Sequence, residues 1–477
     1  WLSGEDWVGL LGMNLSGIPG ETFPEARFRG NNSNLSGSYR DWGSNAAGFA
    51  PNGSWIFSDD FSWLINNHSI KIGGEYRHYF LDNNGAQNTG SYTFHNENSG
   101  QPGFVDETGF AFASYILGEA QSTSMGIFGM DPRDRSKNIA LYVQDDWKVS
   151  STLTLNLGLR WDIPTPYYEK DSQMSGLDKS LPNTAADGFL GALAFLEPGQ
   201  RYASRYYGQI APRVGVAWAV NDTTVVRAGY GINFSPPIKD GWYTSYTAGF
   251  NGSNNQPSRT GEFREAAVYN WDEPYPAYTA ELPNLDPTQL NGQGISFYDP
   301  GTNRLPMVQN WNVGVQFDVG WDTKIEANYV GNKGSRMNLP MYLNGAQNQV
   351  ELQYMSLGNT LLDDIEDHPE IPKPYPSFTG IVSQALRPFP QFRGINTHRM
   401  NAGWSRYDSL QISFTKRSDF GLSFLGSYTY GKARGTSDTS GPGNYYDYGQ
   451  DFYNLDADYS TTQFHYPMDL KFTWMYD

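Results

Sequence analysis

Thr152-Leu153-Thr154-Leu155-Asn156-Leu157-Gly158-Leu159-Arg160-Trp161-Asp162 sorts its side chains by alternation. Leu153, Leu155, Leu157, Leu159 and Trp161 fall on one face, and Thr154, Asn156, Gly158 and Arg160 fall on the other. Period two is the signature of a β-strand, and a face this uniformly apolar needs something apolar to lie against. Residues 137–149 alternate in the same way and reach this strand across Ser150-Ser151, so the two read as a hairpin.

Four more hairpins obey the same rule. Residues 54–65 pair with 69–80 across Asn66-Asn67-His68, with Trp55, Phe57, Phe61, Trp63 and Ile65 sharing a face. Residues 210–220 pair with 223–234 across Asn221-Asp222, a pair suited to the positive φ of tight turns. Residues 308–319 pair with 323–330 around Gly320-Trp321-Asp322, and 407–416 with 421–430 near Ser418-Asp419. A last strand over 469–476 alternates Leu470, Phe472, Trp474 and Tyr476 outward. Between the hairpins, residues 81–136, 163–209, 235–307, 331–406 and 431–468 are long, weakly patterned and rich in Pro, Gly, Asn and Tyr. A short helix is expected at 111–117, and residues 1–50 are expected to add roughly two or three further strands.

Loops beyond about 12–15 residues are uncommon in compact domains, yet here every second connection exceeds that length. Insertions at random would not respect alternation. A transmembrane β-barrel would, with short turns toward the periplasm and long loops outside. The apolar partner of the strands is then lipid. Leu153, Leu155, Leu157, Leu159, Trp161, Val313, Val315 and Phe317 face it, and Arg160, Arg227, Gln316, Lys324, Glu326 and Gln411 face the lumen.

Composition fits that shell. Aromatic residues make 15% of the chain while all apolar residues make 38%, many rings over a thin aliphatic supply, as suits a barrel with aromatic girdles and a wet interior. No run approaches the roughly 20 apolar residues of a membrane helix. The net charge of −17 excludes a nucleic-acid partner, which requires clustered Lys and Arg. With no Cys, disulfides and thiol chemistry drop out together. The pattern yields roughly 11 to 14 strands. As an open arc these would leave edge backbone groups unsatisfied in lipid, so the remainder of a wall is expected outside residues 1–477.

Several strings along these strands resemble the TonB-dependent outer-membrane receptors, in particular their Oar-like branch. They are Tyr142-Val143-Gln144-Asp145-Asp146-Trp147-Lys148-Val149 with the 153–161 strand, Ala211-Pro212-Arg213-Val214-Gly215-Val216-Ala217-Trp218, Val226-Arg227-Ala228-Gly229-Tyr230-Gly231, Gln309-Asn310-Trp311-Asn312-Val313-Gly314-Val315-Gln316, Ala327-Asn328-Tyr329-Val330-Gly331-Asn332-Lys333-Gly334, Leu386-Arg387-Pro388-Phe389-Pro390-Gln391-Phe392, and residues 421–430. Each string alone is weak; their order and spacing over nearly the whole chain carry the resemblance. It implies a barrel of about 22 strands, an N-terminal plug, often a carboxypeptidase-regulatory-like domain, and a periplasmic contact with TonB. No plug, TonB box or regulatory domain is found here, so residues 1–477 read as a single barrel segment whose TonB contact lies upstream.

Enzyme chemistry finds no foothold. His68, His78, His95, His368, His398 and His465 are scattered, with no HExxH, Walker A loop, Gly-x-Ser-x-Gly elbow or dinucleotide fingerprint. No enzymatic activity, cofactor or metal is expected. The nearest approach to a metal site is Asp447, Asp451, Asp456 and Asp458, oxygen ligands for Ca²⁺ in a spacing that matches no EF-hand loop. Asp363, Asp364, Glu366, Asp367 and Glu370 read as a solvated loop face. Asp145, on the apolar face, reads as an interfacial residue of the periplasmic rim. Tyr167, Tyr168, Tyr206, Tyr207, Tyr445 and Tyr446 suit either ligand stacking or interfacial anchoring. The expected function is uptake of a small ligand (oligosaccharide, peptide or metal chelate) across the bacterial outer membrane. The alternative is an outer-membrane structural or adhesion protein that displays its loops and transports nothing.

Overall fold

The computed structural model describes residues 6–13, 23–30, 41–43, 48–49, 51–82, 84–85, 89–105, 107–127, 129–201, 203–235, 246–259, 266–277, 281–338, 347–397, 400–417, 421–436 and 450–476. Eleven long strands follow one another along the chain: β1 (Asn52–Ile65), β2 (His68–Asp82), β3 (Arg133–Lys148), β4 (Leu153–Pro164), β5 (Gln209–Asn221), β6 (Thr224–Phe234), β7 (Met307–Gly320), β8 (Thr323–Asn338), β9 (Asn401–Arg417), β10 (Leu422–Gly435) and β11 (Met468–Tyr476). Each pairs antiparallel with the strands before and after it, and two short strands, Tyr168–Glu169 and Ser460–Thr461, complete one sheet of 13. Among the described residues β1 and β11 do not pair with each other, so the wall is open.

The hairpins turn by local chemistry. Ile65 pairs with His68, leaving Asn66-Asn67 as the turn, and Asn66 takes the left-handed φ of 50° that Asn tolerates. Ser150 Oγ accepts from the Leu153 amide (3.1 Å) at the second turn. Trp321 and Asp322 both have positive φ (53° and 51°), as a type I′ turn needs. The third turn lies one residue later than expected. Asn221 pairs with Thr224 across a bulge, so Asp222-Thr223 makes the turn, and Asn221 Oδ1 accepts from the Thr223 amide (3.0 Å). The side chain closes that turn, and neither Asn221 nor Asp222 has positive φ. Residues 418–420 lie outside the described residues.

Several strands run further on the long-loop side than their apolar alternation suggested; β8 continues from 330 to 338. A ladder of backbone hydrogen bonds needs no apolar face once it has left the bilayer, so polar sequence stays paired. Register carries the apolar face across the wall in rows. Leu155, Val216, Ala228, Val313, Tyr329 and Leu410 form one row, and Phe317, Ile325, Phe414, Gly426 and Phe472 another. Two glycines act as seats for rings: a Cβ at Gly331 would lie 2.5 Å from the Trp311 indole, and one at Gly426 2.8 Å from Phe414. Leu470, Phe472, Trp474 and Tyr476 on β11 are all more than half exposed.

Residues 1–50 add no strand to the wall among the described residues. They contribute a short helix, Trp7–Leu11, and two strands: Glu25–Arg29, which lies parallel to Ser91–His95 in a separate four-stranded sheet with Ser122–Ile127 and Gly252–Gln256, and Gly48–Phe49, which pairs with Asn84–Gly85. The short helix in the first long connection is present at Ala111–Ile116.

Candidate functional site

The long connections, expected to be weakly patterned, fold into a layer with cores of its own. In the first core, Phe28, Tyr92, Phe94, Met125, Tyr269 and Tyr275 are buried, joining residues 83–132 to 235–306 and to the strand Glu25–Arg29. Trp271 meets Tyr115 edge-on at 4.9 Å and Phe94 at 5.1 Å. Burial raises the Tyr92 phenol well above its ordinary value and pushes Tyr269 up to about 12. In the second core, Leu177, Leu193, Ile295, Phe392 and Ile395 bring together three connections. The third, of Ile365, Phe378, Val382 and Ala385, lies within residues 339–400. Alternating residues did not announce these cores because they gather short apolar pieces from distant parts of the chain.

The Leu386–Phe392 string acquires a structural explanation here. Buried Asn348 donates to the carbonyls of Phe389 (2.8 Å) and Phe392 (2.7 Å) and accepts from the Phe389 amide (2.9 Å). Gln391 Nε2 donates to the carbonyls of Leu190 and Gly191 (3.0 and 2.8 Å). Arg387 donates to Asn348 O (3.3 Å), and burial lowers its pKa. The string therefore stitches residues 339–400 to the hairpin of Ser175–Asn183 and Phe189–Phe195.

Where the wall meets this layer, a polar recess of about 540 Å³ is lined by Asp82, Gly129, Met130, Asp131, Arg133 and Gln173. Two of its charges are engaged by residues beside the recess: Arg133 pairs with Asp171 and Asp82 with Arg135, while the Arg133 amide donates to Glu169 Oε1 (3.1 Å).

Below the layer, one face of the wall is polar. Arg160 donates to Asp162 (3.0 and 3.1 Å) and to Glu75 on β2 (3.2 Å), and Glu75 also accepts from Arg77 (2.6 and 2.9 Å). Arg227 donates to Gln316 (3.0 Å), Asn328 to Glu326 (2.9 Å) and Gln411 to Ser409 (3.3 Å); Lys324 lies opposite Asp318 in the register. The register puts Arg160, Arg227, Gln316, Lys324, Glu326 and Gln411 on this polar face. It puts Leu153, Leu155, Leu157, Leu159, Trp161, Val313, Val315 and Phe317 on the other.

The remaining candidates divide. Asp451 accepts from the Tyr453 amide (2.9 Å), Asp456 from Trp404 Nε1 (2.8 Å) and Asp458 from Gln450 Nε2 (3.0 Å), so each carboxylate closes a local turn or contact. Asp447 lies outside the described residues, and among those described no three His, Cys, Asp or Glu side chains gather as a metal site. In the acidic run His368 bridges Asp363 and Glu370, each at 3.0 Å, and these carboxylates raise its pKa. Tyr168 lies under Arg201 (3.9 Å) and Tyr206 under Arg304 (4.9 Å), whereas Tyr207 is exposed; Tyr445 and Tyr446 lie outside the described residues.

Charge is partitioned between layer and wall. Residues 83–132, 165–208, 235–306, 339–400 and 436–467 hold 29 Asp and Glu against 12 Lys and Arg, a net −17; the wall segments 52–82, 133–164, 209–234, 307–338, 401–435 and 468–477 hold 16 Asp and Glu against 18 Lys and Arg.

Comparison with known proteins places this architecture. No curated protein sequence matches the chain. Among solved structures it is similar to the outer membrane transporter YddB from Escherichia coli (12% identity, 81% of this chain and 34% of that one, TM-score 0.39). It is also similar to the alcaligin outer-membrane receptor FauA from Bordetella pertussis (11%, 90% and 43%, 0.33) and the pyoverdine outer-membrane receptor FpvA from Pseudomonas aeruginosa PAO1 (12%, 89% and 38%, 0.34). The chain spans between 34% and 43% of the length of these three proteins. The family model for the outer membrane β-barrel domain matches residues 4–477, and the chain belongs to that family, in the bacterial outer membrane.

Proposed function

We propose that this chain forms the wall and outer loop layer of a TonB-dependent receptor of the Oar-like branch, which captures a small ligand outside and imports it unaltered. The observation that carries this reading is the ordered series of strings from Tyr142 to Tyr430, lying on strands β3 to β8 and β10 and, for Leu386–Phe392, in the connection before β9. A polar wall face opposite a predominantly apolar face supports it, because a transporter lumen is wet and its outside is lipid. The apolar rows then meet the bilayer, the polar rows meet the lumen, and the rest of a closed wall of about 22 strands, with its plug, comes from elsewhere in the full-length protein.

The loop layer is the ligand-facing element. Its excess of 17 carboxylates attracts cationic ligands and disfavours anionic ones, so a cationic peptide or a neutral oligosaccharide fits better than an anionic chelate. Uptake by the full-length receptor, measured in cells with and without TonB, tests the reading. Accumulation that requires TonB and returns the ligand chemically unchanged is expected. Surface binding with accumulation indifferent to TonB would refute transport and leave a structural or adhesive role.

A further inference from the structure

A histidine–carboxylate hydrogen bond interrupts the apolar face of the wall close to its short turns. His68 Nδ1 lies 2.7 Å from Asp145 Oδ2, and the His68 ring stacks on Trp147 with centroids 5.2 Å apart and planes 17° from parallel. Register puts His68 opposite Trp147 and Asp145 opposite Ile70 and Leu157, on the same face as Ile72, Val143 and Leu159. His68 is the first residue of β2, directly after the Asn66-Asn67 turn. A charge on this face costs about 2–4 kcal/mol at the bilayer midplane but only about 0–1 near its edge. Because His68 directly follows the turn, the pair lies near the edge of this face, where the lower cost applies.

We propose that His68 binds the phosphate of a phospholipid in the periplasmic-side leaflet. Asp145 accepts the Nδ1 proton and fixes the ring, while Nε2 has no partner among the described residues and its side chain is 36% exposed. A lipid phosphate at Nε2 places the imidazole between two anions, where it carries both protons and donates to each, and such charge-assisted bonds are the strong ones. Trp147 supplies the interfacial aromatic surface. Ile70, Ile72, Val143, Leu157 and Leu159 lie on the same face toward the membrane interior and form a bed for acyl chains. Asp145 is a positioning residue, since it acts through His68. The leaflet assignment rests on the proposed orientation, short turns to the periplasm, and not on transport.

The test counts phospholipid retained by the full-length protein extracted from outer membranes, by native mass spectrometry after a delipidating wash. Folding of each variant is checked by heat-modifiable mobility. The wild type should retain a phospholipid whose occupancy falls about tenfold in His68→Leu, the loss of one hydrogen bond to a charged group. Asp145→Asn should give a smaller loss, and Glu326→Gln, on the opposite face, none. His68→Gln keeps a side-chain donor and serves if His68→Leu does not fold. Equal retention by the wild type and a folded His68 variant would overturn the proposal, as would displacement of the lipid by inorganic phosphate, which marks a free-anion site. Failed uptake with retention intact would strike the transport reading alone.

Discussion

Replacing Val315 by Arg and, separately, Gln316 by Arg puts the same charge one residue apart on opposite faces of β7. Val315 is paired with Val226 on β6 and Ala327 on β8. It lies five residues from Gly320, and at about 3.4 Å per residue and a tilt of about 40° this is about 13 Å above the turns. An outer apolar band is about 25 Å tall, so Val315 lies near its middle, where Arg costs about 2–4 kcal/mol. In equilibrium terms that is about 30- to 900-fold. Gln316→Arg instead loses the bond from Arg227 (3.0 Å) and crowds two guanidiniums. Glu326 lies directly opposite in the register and offsets the new charge, leaving a cost of about 1 kcal/mol. Urea titration of the full-length protein folded into lipid vesicles should show a clearly larger midpoint shift for Val315→Arg at unchanged slope. Equal shifts, or a larger one for Gln316→Arg, would refute the assignment of faces.

Gly331→Ala should destabilise by about 1–3 kcal/mol, because the new methyl would occupy space held by the Trp311 indole. The penalty should disappear in a Trp311→Ala background, and persistence there would show that the ring is not its cause. Asn348→Ala removes three hydrogen bonds from the Phe389–Phe392 segment, so hydrogen exchange of these amides should accelerate by an amount equivalent to about 3 kcal/mol of local stability; unchanged protection would mean the stitch lies elsewhere. The third concerns pH. His368 has a raised pKa in the folded chain through Glu370 and Asp363, so the contribution of this bridge is full below the ordinary His value of about 6.5 and is lost as pH rises through the raised value. Protease cleavage within 363–373 should therefore increase across that interval, and His368→Gln should make it pH-independent.

The wall was legible because a membrane imposes one rule on every residue of a strand. Leu153 to Trp161 alternate without a break, and a one-residue slip would turn all five apolar side chains to the wrong face. Turns were legible to within a residue, and the miss at Asn221 is instructive. The Asn-Asp pair suggested positive φ, yet the Asn221 side chain satisfies the turn from inside the strand and moves the reversal one residue on. Strand ends on the loop side were illegible for the converse reason: residues 331–338 are polar yet still paired with β9, and backbone pairing without an apolar face leaves no hydrophobic trace.

The loop layer shows what alternation conceals. Phe28, Phe94 and Trp271 come from three separate segments, and no window along the chain holds enough of this core to reveal a period. Glycine and proline, read as marks of irregular loops, serve a folded layer instead: Gly191, at φ 108°, lets the chain pass beneath Phe389 and presents its carbonyl to Gln391. The division of charge follows from the same geography. A wall that assembles in lipid nearly balances its 16 acidic and 18 basic residues, and cross-strand pairs such as Arg160 with Glu75 hold them in place. The outer layer has no such restraint, and its unbalanced carboxylates act on what approaches from solution. At physiological salt their field reaches only about 8 Å, so it acts on charged solutes at contact with the layer and not from a distance. The folded cores therefore matter to the proposed recognition, because a field this short discriminates only if the groups that produce it are held still.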